Sequence, residues 1–310
     1  MREKTMQQTT KEKYMKHALG FVNNNLQGKV QTDEAILQAI INAAPRYTAK
    51  SFNNLKAALS FYLSIEGKTG LAEKIKLLEN PTVINGSAKK KPLKKKTLKQ
   101  SELEVISRAL KNKNDPPLIS AFILAHTLGA RPCEMSSIKQ ISEYIFFIKG
   151  AKKTDLGDRG TDRYIAVNPN TSMQIRAAIK HIAEDEMSRI QDRFNYLMKK
   201  IFKGRKIKAT LYTLRHQFCG ELKSSTLNIR EIAYLMGHKS TRTMECYGYA
   251  HSGSGNINIK AAISLNEIKK IIISDKKTER QVKREKRFLK LTKQQSNETC
   301  VNLERNHIIA

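Results

Sequence analysis

The chain contains no tryptophan, and aromatic residues make up only 6% of its 310 positions. That scarcity argues against a single-strand binding platform, where successive bases stack on exposed rings. Cysteine is scarce too: Cys133, Cys219, Cys246 and Cys300 are widely scattered, with no CxxC pair for zinc and no spacing of a disulfide framework. Free thiols in a reducing compartment are the expectation. No run approaches the roughly 18 apolar residues of a membrane span, and the opening stretch MREKTMQQTTKEKYMKH lacks the apolar core of a signal peptide. The expected location is the cytoplasm (the nucleoid, in a prokaryote), with no membrane partner. Acids are also few. Against 28 Asp and Glu stand 57 Lys and Arg, a formal charge of +29 with a pI near 10.0. This is too basic for an ordinary metabolic enzyme and points to a polyanion. Phosphate backbones are the commonest one, because each neutralised phosphate releases condensed counterions. A ribosome-associated or basic membrane-surface protein is the alternative.

What is present organises into two domains, each with enough apolar residues for a core. Up to about Leu78 apolar residues recur at helical spacing, as in Ala35, Ile36, Ala39, Ile40 and then Leu55, Ala58, Leu59, Tyr62, Leu63. Thr32 precedes Asp33 and Glu34 as an N-cap, and Thr48 or Ser51 opens the next helix. The expected divisions are a helical domain over 1–80, a basic linker over 81–97, a catalytic domain over 98–252 and a C-terminal helix with a basic tail over 253–310. The linker carries Lys89, Lys90, Lys91, Lys94, Lys95 and Lys96. Like charges in a row repel and stay extended, and a lysine-rich tether is suited to tracking phosphates across a duplex.

In the second domain, helices are expected around Ile106, over 118–127, near 134–138, over 172–202 and over 213–223. Asn228 caps another through Met236, and Ser240 the next through Tyr247. The convincing strand signals are Tyr144–Ile148 and Tyr164–Val167, flanking a basic loop from Lys149 to Arg163. The fold class is therefore mainly α with a small β-sheet (α+β).

Three short stretches carry the chemistry. Arg131 lies in the turn Leu128-Gly129-Ala130-Arg131-Pro132-Cys133-Glu134. Arg215 lies in Leu211-Tyr212-Thr213-Leu214-Arg215-His216, in what reads as the first turn of a helix, an end unfavourable for a cation unless an anion joins it. The third stretch is Gly237-His238, with Tyr247 nine residues later. The order Arg131, Arg215, 23 residues to His238, nine to Tyr247 resembles that of the tyrosine recombinases, the phage-integrase family of site-specific DNA recombinases, over Leu128 to Tyr249. The expected architecture matches as well, since that family joins a helical core-binding domain to a mostly helical catalytic domain.

The chemistry is consistent with the resemblance. Cutting DNA without a metal requires a nucleophile, cations for the non-bridging oxygens and an acid for the leaving oxygen. Arginine suits the cationic role because its fork matches phosphate bidentately. No DxD, HExxH or comparable ligand set stands out, so no metal or other cofactor is expected.

The resemblance implies that Tyr247 attacks the scissile phosphate, giving a 3′-phosphotyrosyl link and a free 5′-hydroxyl without ATP. It further implies that Arg131, Arg215 and His238 hold the phosphate, that Glu134 supports the site structurally, and that a hairpin lysine is the acid. Lys152 in GAKKT is the choice, with Lys153 and Lys149 behind it. One departure stands out. Where the family usually has His-x-x-Arg, this chain has Tyr212, with His216 beyond Arg215. A phenol with a pKa near 10 is a poor general base. Tyr249 competes with Tyr247 for the nucleophile role, and Cys246 reads as packing.

The implied partners are duplex recombination sites, a homo-tetramer on DNA and accessory DNA-bending proteins, as for a mobile-element integrase. The stripe Ile257, Ile259, Ala262, Ile263, Leu265, Ile268 and 271–273 would dock on a neighbouring protomer or else fill its own core. The alternatives are a type IB topoisomerase-like relaxing enzyme and a non-catalytic DNA-binding protein that retains the fold.

Overall fold

The computed structural model describes residues 8–26, 32–90, 93, 95–151, 160–206 and 208–273, and the chain divides into two units between Leu93 and Lys94. In the first unit, α1 (Gln8–Leu26), α2 (Asp33–Ala43), α3 (Ala49–Ile65) and α4 (Thr69–Leu77) surround a core that includes Phe21, Ile36, Ile40, Phe52, Leu55, Leu59 and Ile75. The α2 and α3 starts follow from local chemistry. Thr32 Oγ1 accepts from the Ala35 amide at 3.2 Å, and Thr48, rather than Ser51, opens α3 by accepting from the Ser51 amide at 3.2 Å. A short helix, α5 (Pro81–Ile84), stands inside the stretch expected to be linker. Asn80 caps it and Pro81 occupies the position where a missing N–H costs nothing. Lys89 and Lys90 are exposed, whereas Lys91 and Lys94 lie outside the described residues.

The second unit begins with α6 (Gln100–Lys113), α7 (Pro116–Thr127) and the one-turn α8 (Pro132–Met135). Four antiparallel strands follow the order β1 (Lys139–Gln140), β2 (Ile145–Ile148), β3 (Arg163–Val167), β4 (Ile259–Ala261). The β2–β3 hairpin is as expected, with Phe146 opposite Ile165 and Ile148 opposite Arg163. Between β3 and β4 come α9 (Pro169–Ile182), α10 (Met187–Ile201), α11 (Leu211–Ser224), α12 (Ile229–Leu235) and a 3-10 helix at Thr241–Cys246. The short α13 (Leu265–Lys269) closes the described chain. Asn228 and Ser240 cap where expected, accepting from the Glu231 and Arg242 amides at 2.9 and 3.1 Å.

Several expectations need correction. The helices expected over 172–202 are α9 and α10, separated at residues 183–186, where Glu184, Asp185 and Glu186 fall in succession. Arg215 is in the second turn of α11, because the N-cap is Thr210. The sheet has four strands, and β1 and β4 are too short to show a period of two. The apolar stripe after residue 253 is largely core of its own chain: Ile259 and Ile271 are buried, with Ile257 and Ile263 packed beside them. Within the described part of 253–310 the helix is only α13, while Leu265, Ile272 and Ile273 stay exposed. The basic tail from residue 274 lies outside the described residues. Among these residues no helix is long and apolar enough to cross a membrane.

Candidate active site

The site is assembled where four helix ends meet the base of the β2–β3 hairpin. Gly129 follows the C-terminus of α7 at φ +56°, and a β-carbon there would meet Phe218 Cδ1 at 2.2 Å, so the turn requires glycine. Arg131 then acts as N-cap of α8. Its amide donates to Glu134 Oε2 at 3.0 Å and its Nη1 pairs with Glu134 Oε1.

Glu134, fully buried, is the centre of the arrangement. Besides Arg131 it receives Arg163 Nη2 at 2.8 Å and the Ala151 amide at 3.4 Å, and Arg215 Nη1 lies 4.0 Å away. Burial works against its charge, yet Arg163, Arg131 and Arg215 together hold its carboxyl well below the usual carboxylate range.

Arg215 reaches from α11 to the ends of two other helices. Its Nη1 donates to the Gly129 carbonyl beyond α7, and its Nη2 donates to the Met236 carbonyl at the α12 C-cap. A cation is favourable at both ends, because the last carbonyls of a helix are unsatisfied and carry the negative end of its dipole. Burial, with Arg131 and Arg163 nearby, lowers Arg215 to about 10, so it stays cationic at neutral pH.

Gly237, at φ +64°, closes α12 and brings in His238. A β-carbon on Gly237 would stand 2.5 Å from Arg163 Nη1. His238 is buried, and burial with Arg215, Arg131 and Arg163 lowers its pKa to about 2, making the ring neutral. Its Nε2 faces Arg215 Nη2 at 3.5 Å. A guanidinium only donates, so Nε2 accepts and the proton belongs on Nδ1.

Tyr247 follows the 3-10 helix and rests against this cluster. Its ring centroid is 5.3 Å from Arg215 Cζ, 5.2 Å from the His238 ring and 4.9 Å from the His216 ring. Arg131, despite burial, is held above its ordinary pKa by Glu134 and then by the Tyr247 hydroxyl. The segment is pinned from α11. Lys223 Nζ donates to the carbonyls of Met244, Tyr247 and Gly248 at 2.7, 2.7 and 3.1 Å, and His216 Nδ1 accepts from the Gly248 amide at 3.3 Å.

The structure therefore brings Arg131, Arg215, His238 and Tyr247 together around Glu134. Tyr212 lies at the edge of the site, 42% exposed, and burial with Cys133 beside it raises its hydroxyl above the ordinary pKa. Tyr249 is engaged elsewhere, stacked on His251 with Lys96 Nζ 5.3 Å from its ring centroid. Lys95, expected among the phosphate-tracking lysines of the linker, is paired within its own unit, its Nζ 2.5 Å from Glu102 Oε1. Lys152 and Lys153 lie outside the described residues, as does the Cys246 side chain, while Lys149 is exposed at the hairpin.

Sequence reasoning missed three members. Arg163 carried a signal, because it occupies the inward register shared with Ile165 and Val167. Lys223 had none beyond its place in the last turn of α11, and His216 was noticed only as a neighbour of Arg215.

Several buried N–H donors of the cluster have no hydrogen-bond partner among the described residues: Arg131 Nε, Arg163 Nε and Nη1, Arg215 Nε and His238 Nδ1. Orphaned donors cost about 1–3 kcal/mol each, so their concentration beside a phenol marks a place built for an anion. Among the described residues, no group of His, Cys, Asp and Glu is arranged to hold a metal ion.

No family model matches the chain. Tyrosine recombinase XerA of Pyrococcus furiosus is 28% identical over 216 residues, spanning 66% of this chain and 71% of the relative. Its namesake in Thermococcus onnurineus is 25% identical over 218 residues, 65% and 71% of the two chains. Among solved structures, the Tn1549 transposon integrase in complex with a circular intermediate DNA superposes with a TM-score of 0.54 at 16% identity, covering 79% of this chain and 91% of that one. A lambda integrase dimer bound to a core site gives 0.54 at 15% identity, covering 79% and 73%. The two solved structures share this chain's fold, and the chain is similar in sequence to both tyrosine recombinases over about two thirds of its length.

Proposed function

We propose that the chain is a site-specific DNA recombinase that cleaves and rejoins duplex DNA through a 3′-phosphotyrosyl intermediate, with neither metal nor ATP. The observation that carries this reading is the set of orphaned Arg131, Arg215 and His238 donors converging beside Tyr247 of the same chain. Arg131 and Arg215 bind the two non-bridging oxygens, and neutral His238 donates through Nδ1. Tyr247 Oη attacks phosphorus. A new P–O bond forms, the P–O5′ bond breaks, and the 5′-oxygen takes a proton as it leaves. Lys152 of the hairpin loop is the proposed donor of that proton, with Lys153 and Lys149 as alternatives. The phenolic proton passes to solvent, since Tyr212, with its hydroxyl raised above the ordinary pKa, is unsuited to accept it. Because the tyrosyl ester conserves the energy of the broken bond, rejoining is the same step reversed.

The partners are duplex recombination sites, engaged as a homo-tetramer with accessory DNA-bending proteins. Lys89, Lys90, Lys91, Lys94, Lys95 and Lys96 contribute phosphate contacts, Lys95 only in exchange for its Glu102 contact. Lambda integrase has been solved as a tetramer bound to a Holliday junction, which supports the assembly proposed here.

The test uses nicked duplexes drawn from the DNA flanking the coding region, incubated with the full chain in excess chelator. A covalent protein–DNA adduct should accumulate, and Tyr247→Phe should abolish it while leaving binding intact. An adduct that survives Tyr247→Phe, or one that chelator prevents, defeats the reading. Relaxation of plasmids lacking any site, without joint products, would favour a topoisomerase-like activity instead.

A further inference from the structure

Arg163 is fully buried at the first position of β3, opposite Ile148 and at the mouth of the hairpin loop. The inward positions that follow it are Ile165 and Val167, so a guanidinium occupies what is otherwise an apolar face. Burying an unpaired cation is prohibitive, and a buried pair often contributes no more stability than an apolar replacement would. Its partner is Glu134, through Nη2 at 2.8 Å, while Nη1 and Nε have no partner among the described residues. Gly237 keeps the space beside Nη1 open, because a β-carbon there would come within 2.5 Å of it.

The charges explain why Arg163 is there. Arg131, Arg163 and Arg215 bring three positive charges and Glu134 one negative, with His238 neutral, so the buried cluster carries a net charge of two. A phosphodiester has one negative charge, but the five-coordinate species formed as a phenolate adds to it has two. The cluster therefore matches the charge of the transition state rather than that of bound DNA, which is the condition for accelerating a step and not merely binding its substrate. Without Arg163, the Glu134 carboxylate would be neutralised by Arg131 alone, and the match would fall to the ground-state value.

Building on the recombinase reading above, we propose that Arg163 is a positioning residue of the cleavage site: it takes up the Glu134 carboxylate so that Arg131 and Arg215 keep their charge for the reacting phosphate.

The test measures single-turnover adduct formation and DNA affinity on the nicked flanking duplex, with either a phosphodiester or a neutral methylphosphonate at the scissile position. Wild type failing to form a Tyr247-linked adduct on the phosphodiester would defeat the recombinase reading, and this inference with it. Given wild-type cleavage, Arg163→Met should bind DNA within about threefold of wild type and cleave the phosphodiester about 100-fold more slowly, the scale of losing one preorganised donor. On the methylphosphonate, whose transition state carries one charge fewer, the deficit should shrink to under about tenfold. A general loss of structure would slow both substrates alike, and that result overturns the proposal, as does unimpaired phosphodiester cleavage. Should Arg163→Met not fold, the double variant Glu134→Gln, Arg163→Met removes the pair and keeps the net charge of two. It should cleave the phosphodiester within about tenfold of wild type. A double variant that folds and binds DNA without cleaving also overturns the proposal.

Discussion

The Lys223 ammonium lies 2.7 Å from the backbone carbonyl of Tyr247, and through the Met244 and Gly248 carbonyls it grips that tyrosine from both sides. The pose of the phenol is thus set from α11, the helix that also carries Arg215 and His216. Lys223→Met removes three charge-assisted hydrogen bonds at once, each worth about 1.5–3 kcal/mol when made to a charged group. Adduct formation should fall at least tenfold, on the order expected when a nucleophile loses its near-attack position, with DNA affinity little changed. Undiminished cleavage by the variant would mean that the segment is held by something else.

His238 makes stability depend on pH. Its ordinary value is 6.5, and burial with three arginines lowers it to about 2 in the folded chain. Between those values the unfolded chain binds a proton that the folded chain refuses, so stability rises with pH across that window. It is complete above about 6.5 and lost as pH falls below it, by about 1.4 kcal/mol per pH unit. His126, lowered by burial, acts in the same direction. Glu134, held down by its arginines against burial, adds a further loss only below the ordinary carboxylate value of 4.5. Denaturant melts between pH 7.5 and 5 should show the slope, and His238→Gln should reduce it by about one proton's worth. An identical slope in the variant would rule out a buried neutral His238.

Gly237→Ala sets a methyl against Arg163 Nη1 and strains a backbone held at φ +64°. A left-handed non-glycine residue costs about 1–3 kcal/mol before any clash. The variant should melt earlier and form adduct more slowly, in contrast to Gly204→Ala, where the strain recurs at φ +82° but nothing lies within 4 Å. Equal effects of the two would mean that Arg163 yields freely.

The charge of +29 makes duplex binding depend on salt. The logarithm of affinity should fall linearly with the logarithm of salt concentration, with a slope of about −0.9 per phosphate neutralised. Lys89→Ala and Lys90→Ala should each flatten it by about one. A flat response in filter-binding titrations would contradict phosphate-dominated contact.

Much of this was legible in the sequence because the signals are local. Thr32, Asn228 and Ser240 announce their helices by the chemistry of orphaned amides, and the runs around Phe146 and Ile165 alternate or stay apolar long enough to read as strands. The grouping of Arg131, Arg215, His238 and Tyr247 was legible only as an order of residues, since nothing local ties them together. What stayed hidden depends on long-range partners. β4 has three residues, too few to distinguish from the helical stripe around it, and pairs with a strand far back in the chain. Arg163 shares the inward register of Ile165 and Val167, but its carboxylate partner lies 29 residues back, at Glu134. Arg215 was misplaced by one turn because Thr210, not a later residue, caps α11.

The pairing of β4 with β3 gives the stretch beyond the tyrosine an architectural duty. A chain shortened to end before Ile259 would retain every charged group of the cluster, yet the flank of β3 at Ile165 and Val167 would be stripped of its neighbour. Bare amides and carbonyls along an apolar strand invite pairing between molecules, so a protein trimmed that far should lose solubility before it loses its chemistry.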